Sequence, residues 1–233
     1  MSLSIIRHKS IFDPNDFINQ KITIIGAGAT GSRVFASLVD LGVTNIDVFD
    51  FDIVESHNLA NQIYLSKHIG LSKVEALKDY YHIKTGSYSP DTMRFFNERV
   101  TGWGSIAPFS FLYLLTDTMS SRKIISQSIF DNIDQTNTGP IAIIETRMGP
   151  NYGELYFFDP WIIKDREKWT ATLFDDDDYP DVVSSCGTSI SVGPTANLIA
   201  NAAVWQMINM LQNNKFTLPP QQIYTSPNVT FIG

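Results

Sequence analysis

The turn Gly26-Ala27-Gly28-Ala29-Thr30-Gly31 constrains this chain more than any other feature of its sequence. It follows Lys21-Ile22-Thr23-Ile24-Ile25, a short apolar and β-branched run that reads as a buried strand. After it come residues 32–41, whose apolar side chains fall on one side of a helix, and a second strand over residues 45–50. A strand, a glycine turn, a helix and a second strand make a βαβ unit, with parallel strands and a right-handed crossover. Missing side chains in such a turn let backbone amides and a helix N-terminus approach an anion. Asp50 closes the second strand, where an acidic side chain can bind ribose hydroxyls. This much fits NAD, FAD and ATP alike. The plain alternative is that the glycines serve only tight helix–strand packing.

Further along, residues 73–81 read as a helix and a strand is expected within 92–100. Residues 109–116 form another strand candidate, followed by the polar stretch 117–122 and a helix through Phe130. Residues 140–145 read as a buried strand, and 153–159 alternate as a strand of an antiparallel extension does. Residues 164–186 turn strongly polar and carry Asp175-Asp176-Asp177-Asp178, a self-repelling run expected to be a solvated, mobile loop. A last helix is expected over 194–211. The expected fold is α/β: a Rossmann-like, doubly wound, mostly parallel sheet with an antiparallel extension. With no repeat and no flexible linker, the chain reads as one domain: an N-terminal arm (1–20), a nucleotide-binding core (21–150), and an extension with the acidic loop and C-terminal helix (151–233).

Composition excludes several classes. A formal charge of −7 argues against a nucleic-acid partner, which calls for a basic stripe. A small anion such as ATP needs only a few local donors, so it is not excluded. A single cysteine, Cys186, rules out an internal disulfide framework and any two-cysteine zinc site. The N-terminus lacks a secretory pattern, and no apolar run reaches the roughly 18–20 residues that span a bilayer. The expected location is cytoplasmic, with no membrane partner.

A second constellation narrows the choice of nucleotide. Asp50 is followed by Phe51-Asp52-Ile53-Val54-Glu55-Ser56-His57-Asn58-Leu59-Ala60-Asn61-Gln62 and then by Gly70-Leu71-Ser72-Lys73-Val74-Glu75-Ala76. Later come Leu115-Thr116-Asp117, Gly149 and Gly153-Glu154-Leu155-Tyr156 with Pro160 beyond, and Cys186-Gly187-Thr188 leading toward the last helix. In this order the chain resembles the ThiF/MoeB/HesA family, compact relatives of ubiquitin-activating enzymes, over nearly its whole length. The family pattern is a glycine turn, then Asp-x-Asp-x-Val-x-x-x-Asn-Leu-x-Arg-Gln, then Gly-x-x-Lys.

The resemblance implies an adenylyltransferase. ATP and the C-terminal carboxylate of a small ubiquitin-like protein or peptide would give an acyl-adenylate and pyrophosphate. Both reactants are anions, so the site must neutralise phosphate charge and hold the pair in line. Carried over residue by residue, Gly26, Gly28, Gly31, Asp50, Asp52 and Lys73 bind the nucleotide. Lys73 is a point charge for the phosphates, Asn58 and Gln62 are neutral donors near them, and Asp117 is a hard oxygen ligand for Mg²⁺. Arg7 corresponds to an arginine that reaches a neighbouring subunit's phosphates, which implies a homodimer. Cys186 corresponds to a cysteine that links covalently to the activated partner in some relatives, and the acidic run to a loop that crosses the site.

Each residue has a plainer reading. Lys73 can be a solvated helix residue, Asn58 a turn former or cap, and Asp117 the cap of a helix near Thr118. Arg7 can be a surface arginine, and Cys186 a small buried residue.

Two departures stand out. Asn61 replaces the family's arginine before the glutamine, and a neutral amide cannot supply a guanidinium's fixed charge and forked donors. Arg33, early in the first helix, is the candidate to compensate. The chain also lacks paired Cys-x-x-Cys elements, so no structural zinc is expected. Because of Asn61, a non-catalytic nucleotide-binding dimer partner is the alternative function. An NAD-dependent oxidoreductase leaves Lys73, Asn58 and Asp117 together unexplained.

Overall fold

A computed structural model describes residues 4–178, 191–213, 221–225 and 229–230. In chain order the core begins with β1 (Ile22–Ile25), α1 (Ala29–Asp40), β2 (Ile46–Phe49), α2 (Lys73–Thr85) and β3 (Arg94–Phe96). It continues with β4 (Phe111–Leu114), α3 (Met119–Thr136), β5 (Ala142–Met148) and β6 (Tyr152–Phe158). Last come α4 (Ile163–Thr170), α5 (Gly193–Asn213), β7 (Gln221–Thr225) and β8 (Val229–Thr230).

The strands form one sheet in the order β3-β2-β1-β4-β5-β6-β7-β8. Neighbours from β3 to β5 are parallel, and those from β5 to β8 antiparallel. The expected mostly parallel core with an antiparallel extension is therefore the observed fold. β1 is buried at every residue because it is paired on both edges and covered on both faces. Its side chains alternate between two cores, as the strand period requires. Ile22 and Ile24 join Val34, Phe35 and Leu38 of α1, Leu77 of α2 and Met207 of α5. Ile25 joins Ile125 and Ile129 of α3 and Trp169 of α4. Each fully buried Ile or Leu of these layers contributes roughly 1.5–3 kcal/mol.

From β1 the chain winds outward to β2 and β3, then returns to β4 on the other side of β1. The order thus reverses between β1 and β4, and beyond strand carboxyl ends at such a reversal open α/β sheets form the crevice where ligands bind. The glycine turn leaves β1 at this point, and Asp117 follows β4 there.

Several element boundaries differ from the sequence reading. Helix α1 starts at Ala29 rather than at residue 32, because Gly28 is its N-cap and Gly31 lies within its first turn. Helix α2 runs past Tyr81 to Thr85, where Gly86 stops it at φ 69°. Helix α3 passes Phe130 and ends at Thr136, where Asn137 turns left-handed at φ 52°. Helix α4 lies in a stretch that reads as polar. Only Arg166 and Trp169 are buried there, too few apolar positions for a helical period to show.

Candidate functional site

The three glycines of the turn do different work. Gly26 sits at φ 97°, and a Cβ there would lie 2.5 Å from the Leu115 carbonyl oxygen, so the turn is pressed against the end of β4. A Cβ at Gly31 would lie 1.9 Å from the Gly26 carbonyl oxygen. These two positions require glycine for packing alone, as the plainer reading holds. Gly28 is different: nothing lies within 4 Å of the Cβ position. No side chain caps α1 at Gly28, so its first amides face that open space unpaired by a cap.

The end of β2 closes one flank. Asp50 is buried; its Oδ2 accepts from the Ala27 amide at 2.6 Å and its Oδ1 from the Asp52 amide at 2.8 Å. Burial pushes its carboxyl above the ordinary value, opposed by the Lys73 charge and by the two amides. Asp50 thereby clamps the glycine turn and keeps only its remaining lone pairs for a ligand. Asp52 carries the more open carboxylate, 45% exposed, and its Oδ2 lies 2.7 Å from Lys73 Nζ. Lys73 opens α2, and its amide also donates to the Asp52 carbonyl at 2.9 Å. Its side chain is only 9% exposed, so it is not the solvated helix lysine of the plainer reading.

Between Asp52 and Lys73 the chain makes an excursion over the start of α1. The Ile63 amide donates to Ser32 Oγ, and the Tyr64 hydroxyl donates to the Ala27 carbonyl at 2.7 Å. Burial, followed by the Asp50 and Asp52 charges, holds the Tyr64 hydroxyl well above its ordinary pKa, so it stays a donor at neutral pH. Sequence reasoning missed Tyr64, because a lone tyrosine in a loop carries no motif. Asn58 is buried, and its Oδ1 accepts from the Glu55 amide at 2.9 Å, which closes a short 3-10 turn. The capping role is thus real for Asn58, whatever else its amide does. Beside it, Asn61 Oδ1 and Gln62 Oε1 are buried without a hydrogen-bond partner among the described residues. Arg33 reaches across from α1, and its Nε donates to the Asn61 carbonyl at 3.1 Å.

On the other flank, Asp117 follows the end of β4 and is exposed, and no hydrogen bond or ion pair engages it among the described residues. It is not the helix cap. That role belongs to Thr118, whose Oγ1 accepts from the Ser121 amide at 3.2 Å. Asp176 takes the two preceding amides, Met119 at 2.6 Å and Ser120 at 3.1 Å, and Asp175 pairs with Lys123. The acidic run is therefore exposed as expected, but its first half is tied to the start of α3. Behind it lies a buried ionic triad. Glu145, fully buried, accepts from Arg147 Nε at 3.1 Å and from Trp169 Nε1 at 3.2 Å, with Arg122 Nε 3.0 Å from its Oε1. Two guanidiniums against one carboxylate leave a positive excess next to Asp117. Glu145 and Arg147 sit two residues apart on β5, but Arg122 comes from α3 and Trp169 from α4, so no local pattern announces the whole set.

Geometry thus gathers Asp50, Asp52 and Lys73 beside the turn, ties the excursion that carries Asn58 and Gln62 to Ala27 and Ser32 through Tyr64 and Ile63, and brings Asp117 to the neighbouring strand end. Arg7 is exposed on the N-terminal arm. Cys186 lies outside the described residues. No helix among the described residues is long and apolar enough to cross a membrane.

Comparison with known proteins bears on the family and the fold. Adenylyltransferase and sulfurtransferase UBA4 of Debaryomyces hansenii is 24% identical over 205 residues, covering 82% of this chain and 41% of the relative. Ubiquitin-like modifier-activating enzyme 5 of Caenorhabditis elegans is 33% identical over 78 residues, covering 33% of this chain and 19% of the relative. The chain thus spans well under half the length of these relatives. Among solved structures, E. coli MccB with ATP superimposes with a TM-score of 0.69 at 14% identity, covering 94% of this chain and 64% of that one. PaaA gives a TM-score of 0.66 at 16% identity, over 93% of this chain and 64% of that one. At these identities the two structures speak to fold alone. The ThiF family profile matches residues 13–231, nearly the whole chain, and the protein belongs to the ThiF family.

Proposed function

We propose that the protein binds ATP at the glycine turn and adenylates a carboxylate, releasing pyrophosphate. The observation that carries this reading is the open space at Gly28, set between the Asp50–Ala27 clamp and the Asp52–Lys73 pair. The uncapped amides of α1 suit a phosphate there. Asp52, whose carboxylate has an open side, suits the ribose hydroxyls, with Asp50 holding the turn beneath. Lys73, freed from Asp52 or shared with it, is the nearest amine for the phosphates, and Gln62 and Asn58 border it. In the reaction an acceptor carboxylate oxygen bonds to the α-phosphorus while the bond from that phosphorus to the α–β bridging oxygen breaks. The electron pair leaves with pyrophosphate.

Asp117 fits a magnesium ion. It is an exposed, unengaged carboxylate beside the crevice, and no cluster of three ligating side chains lies among the described residues. Mg²⁺ characteristically takes one or two carboxylates and completes its shell with phosphate oxygens and water. When bound it would neutralise phosphate charge. The acceptor is a small ubiquitin-like protein or a peptide with a free C-terminus. That class is supported by relatives named as ubiquitin-like modifier-activating enzymes and by an MccB structure containing MccA. A homodimer in which Arg7 serves the neighbouring site, and a thiol role for Cys186, belong to the same reading.

The test is Mg²⁺-dependent ATP–pyrophosphate exchange stimulated by candidate C-terminal peptides and abolished by Asp117→Ala. Asn61, which lacks a guanidinium, supports a second reading: a nucleotide-binding partner that does not catalyse. Measurable ATP binding without exchange, in the presence of the same candidate peptides, selects that reading instead.

A further inference from the structure

The strongest unexplained feature beside the turn is a cation with no anion beside it among the described residues. Arg33 projects from the start of the second turn of α1 into the gap between the 53–72 excursion and α5. Its Nε donates to the Asn61 carbonyl at 3.1 Å, and its Nη1 donates to Asn197 Oδ1 of α5. Its remaining guanidinium nitrogen borders Gly193, where a Cβ would lie 3.2 Å away. The residue is half-buried, and among the described residues no carboxylate pairs with it. Burial accordingly pulls its pKa below the ordinary arginine value. A guanidinium held by two neutral oxygens in a partly dry place gains most from an added anion.

The location says which part of a nucleotide that anion belongs to. The excursion has Asp52 and Lys73 at its two ends, bonded to each other, and Asn61 and Gln62 in its middle. On the ATP reading, Asp50 and Asp52 would hold the ribose end beside β2. Asn61, Gln62 and Arg33 lie past the start of α1, on the α5 side. A triphosphate that begins at the ribose and crosses the uncapped amides at Gly28 runs toward them. The buried, unpartnered Asn61 Oδ1 and Gln62 Oε1 mark the same place as polar and incomplete. Either amide can present its NH₂ to a phosphate after a simple flip.

We propose that Arg33 is the cation that receives the pyrophosphate end of the bound nucleotide. It supplies from α1 the charge that Asn61 cannot supply from the loop, and it rests on the ATP reading given above. Its fork suits a phosphate, and the Asn61 carbonyl and Asn197 hold it in position.

The experiment is calorimetric titration of the full chain with Mg-ATP and, separately, with AMP, for the native protein, Arg33→Ala and Arg33→Lys. Loss of a guanidinium contact to phosphate is expected to weaken ATP binding about tenfold to a hundredfold in Arg33→Ala. AMP, which lacks the pyrophosphate, should bind all three proteins equally. Arg33→Lys, which keeps the charge and much of the stem, is expected to fall between. A parallel loss of ATP and AMP affinity would make Arg33 a structural tie between α1 and α5 and overturn the inference. Unchanged ATP affinity would overturn it as well. If the native chain binds no adenine nucleotide, the ATP reading itself fails, a result distinct from both.

Discussion

Lys73 Nζ lies 2.7 Å from Asp52 Oδ2, joining the two ends of a long excursion beside the glycine turn. The amine is nearly buried while the carboxylate is half open, so the pair is asymmetric: water reaches the anion far better than the cation. In the proposed ATP reading, a phosphate competes with Asp52 for this amine. On that reading the pair holds Lys73 in place before a nucleotide arrives and leaves it a charge to offer when one does.

Replacing Lys73 with methionine keeps most of the stem and removes the charge. Breaking a fully buried pair costs about 3–5 kcal/mol, but an exposed one about 0–1. With Asp52 45% exposed, Lys73→Met is expected to cost about 1–2 kcal/mol in denaturant unfolding. ATP affinity should fall much further, by about tenfold or more. Equal ATP affinity in native and variant protein would remove Lys73 from the site.

The turn itself separates stability from binding. Gly28→Ala adds a methyl group to open space, so it meets no clash and should cost only about 0.5–1 kcal/mol, the usual penalty of alanine at a helix N-cap, while nucleotide affinity drops. Gly31→Ala places a Cβ 1.9 Å from the Gly26 carbonyl oxygen, and should destabilise the fold by about 2 kcal/mol or more. Thermal and denaturant melts beside ATP titrations check both. Gly28→Ala with full affinity would mean that the open space is not used.

Glu145 makes a harsher prediction. Glu145→Gln leaves Arg122 and Arg147 buried with no anion between them. The expected cost is about 3–5 kcal/mol. Chemical denaturation measures it, and a loss below about 1 kcal/mol would show that water reaches the triad.

Much of this architecture is legible in the sequence, and the limits have physical causes. β1 announces itself because a strand paired on both edges and covered on both faces is built of β-branched residues, mostly apolar, with Thr23 hydrogen-bonding Ser110 across the sheet. The glycine turn announces itself because Gly26 and Gly31 are sterically obligatory. Lys73 and Asp117 are ordinary residues in isolation, and the role proposed for them comes only from the order of motifs around them. Helix α4 is hidden because Trp169 and Arg166 alone anchor it. The tie between Asp176 and the start of α3 spans more than fifty residues of sequence, so no window contains both partners. Arg33 is a surface position of α1 until the excursion and α5 close around it.

Asp50 sets a pH dependence. Its carboxyl is raised above the ordinary 3.8, first by burial. A raised native value means that the folded protein holds this proton more tightly than the unfolded chain does. The stability from Asp50 is therefore fully present below about pH 3.8 and is lost as pH rises through the higher native value. Compared with Asp50→Asn across an acid pH series, the native protein should lose relative stability as pH rises. A relative gain with rising pH would reverse the sign assigned here.

The most direct test of the nucleotide assignment is a pair of calorimetric titrations of the full native chain, one with ATP and Mg²⁺ and one with NADH. Stoichiometric ATP binding, weakened by chelating the metal, together with no NADH binding, is the predicted result. Tight NADH binding with no ATP binding would contradict it and return the glycine turn to dinucleotide chemistry.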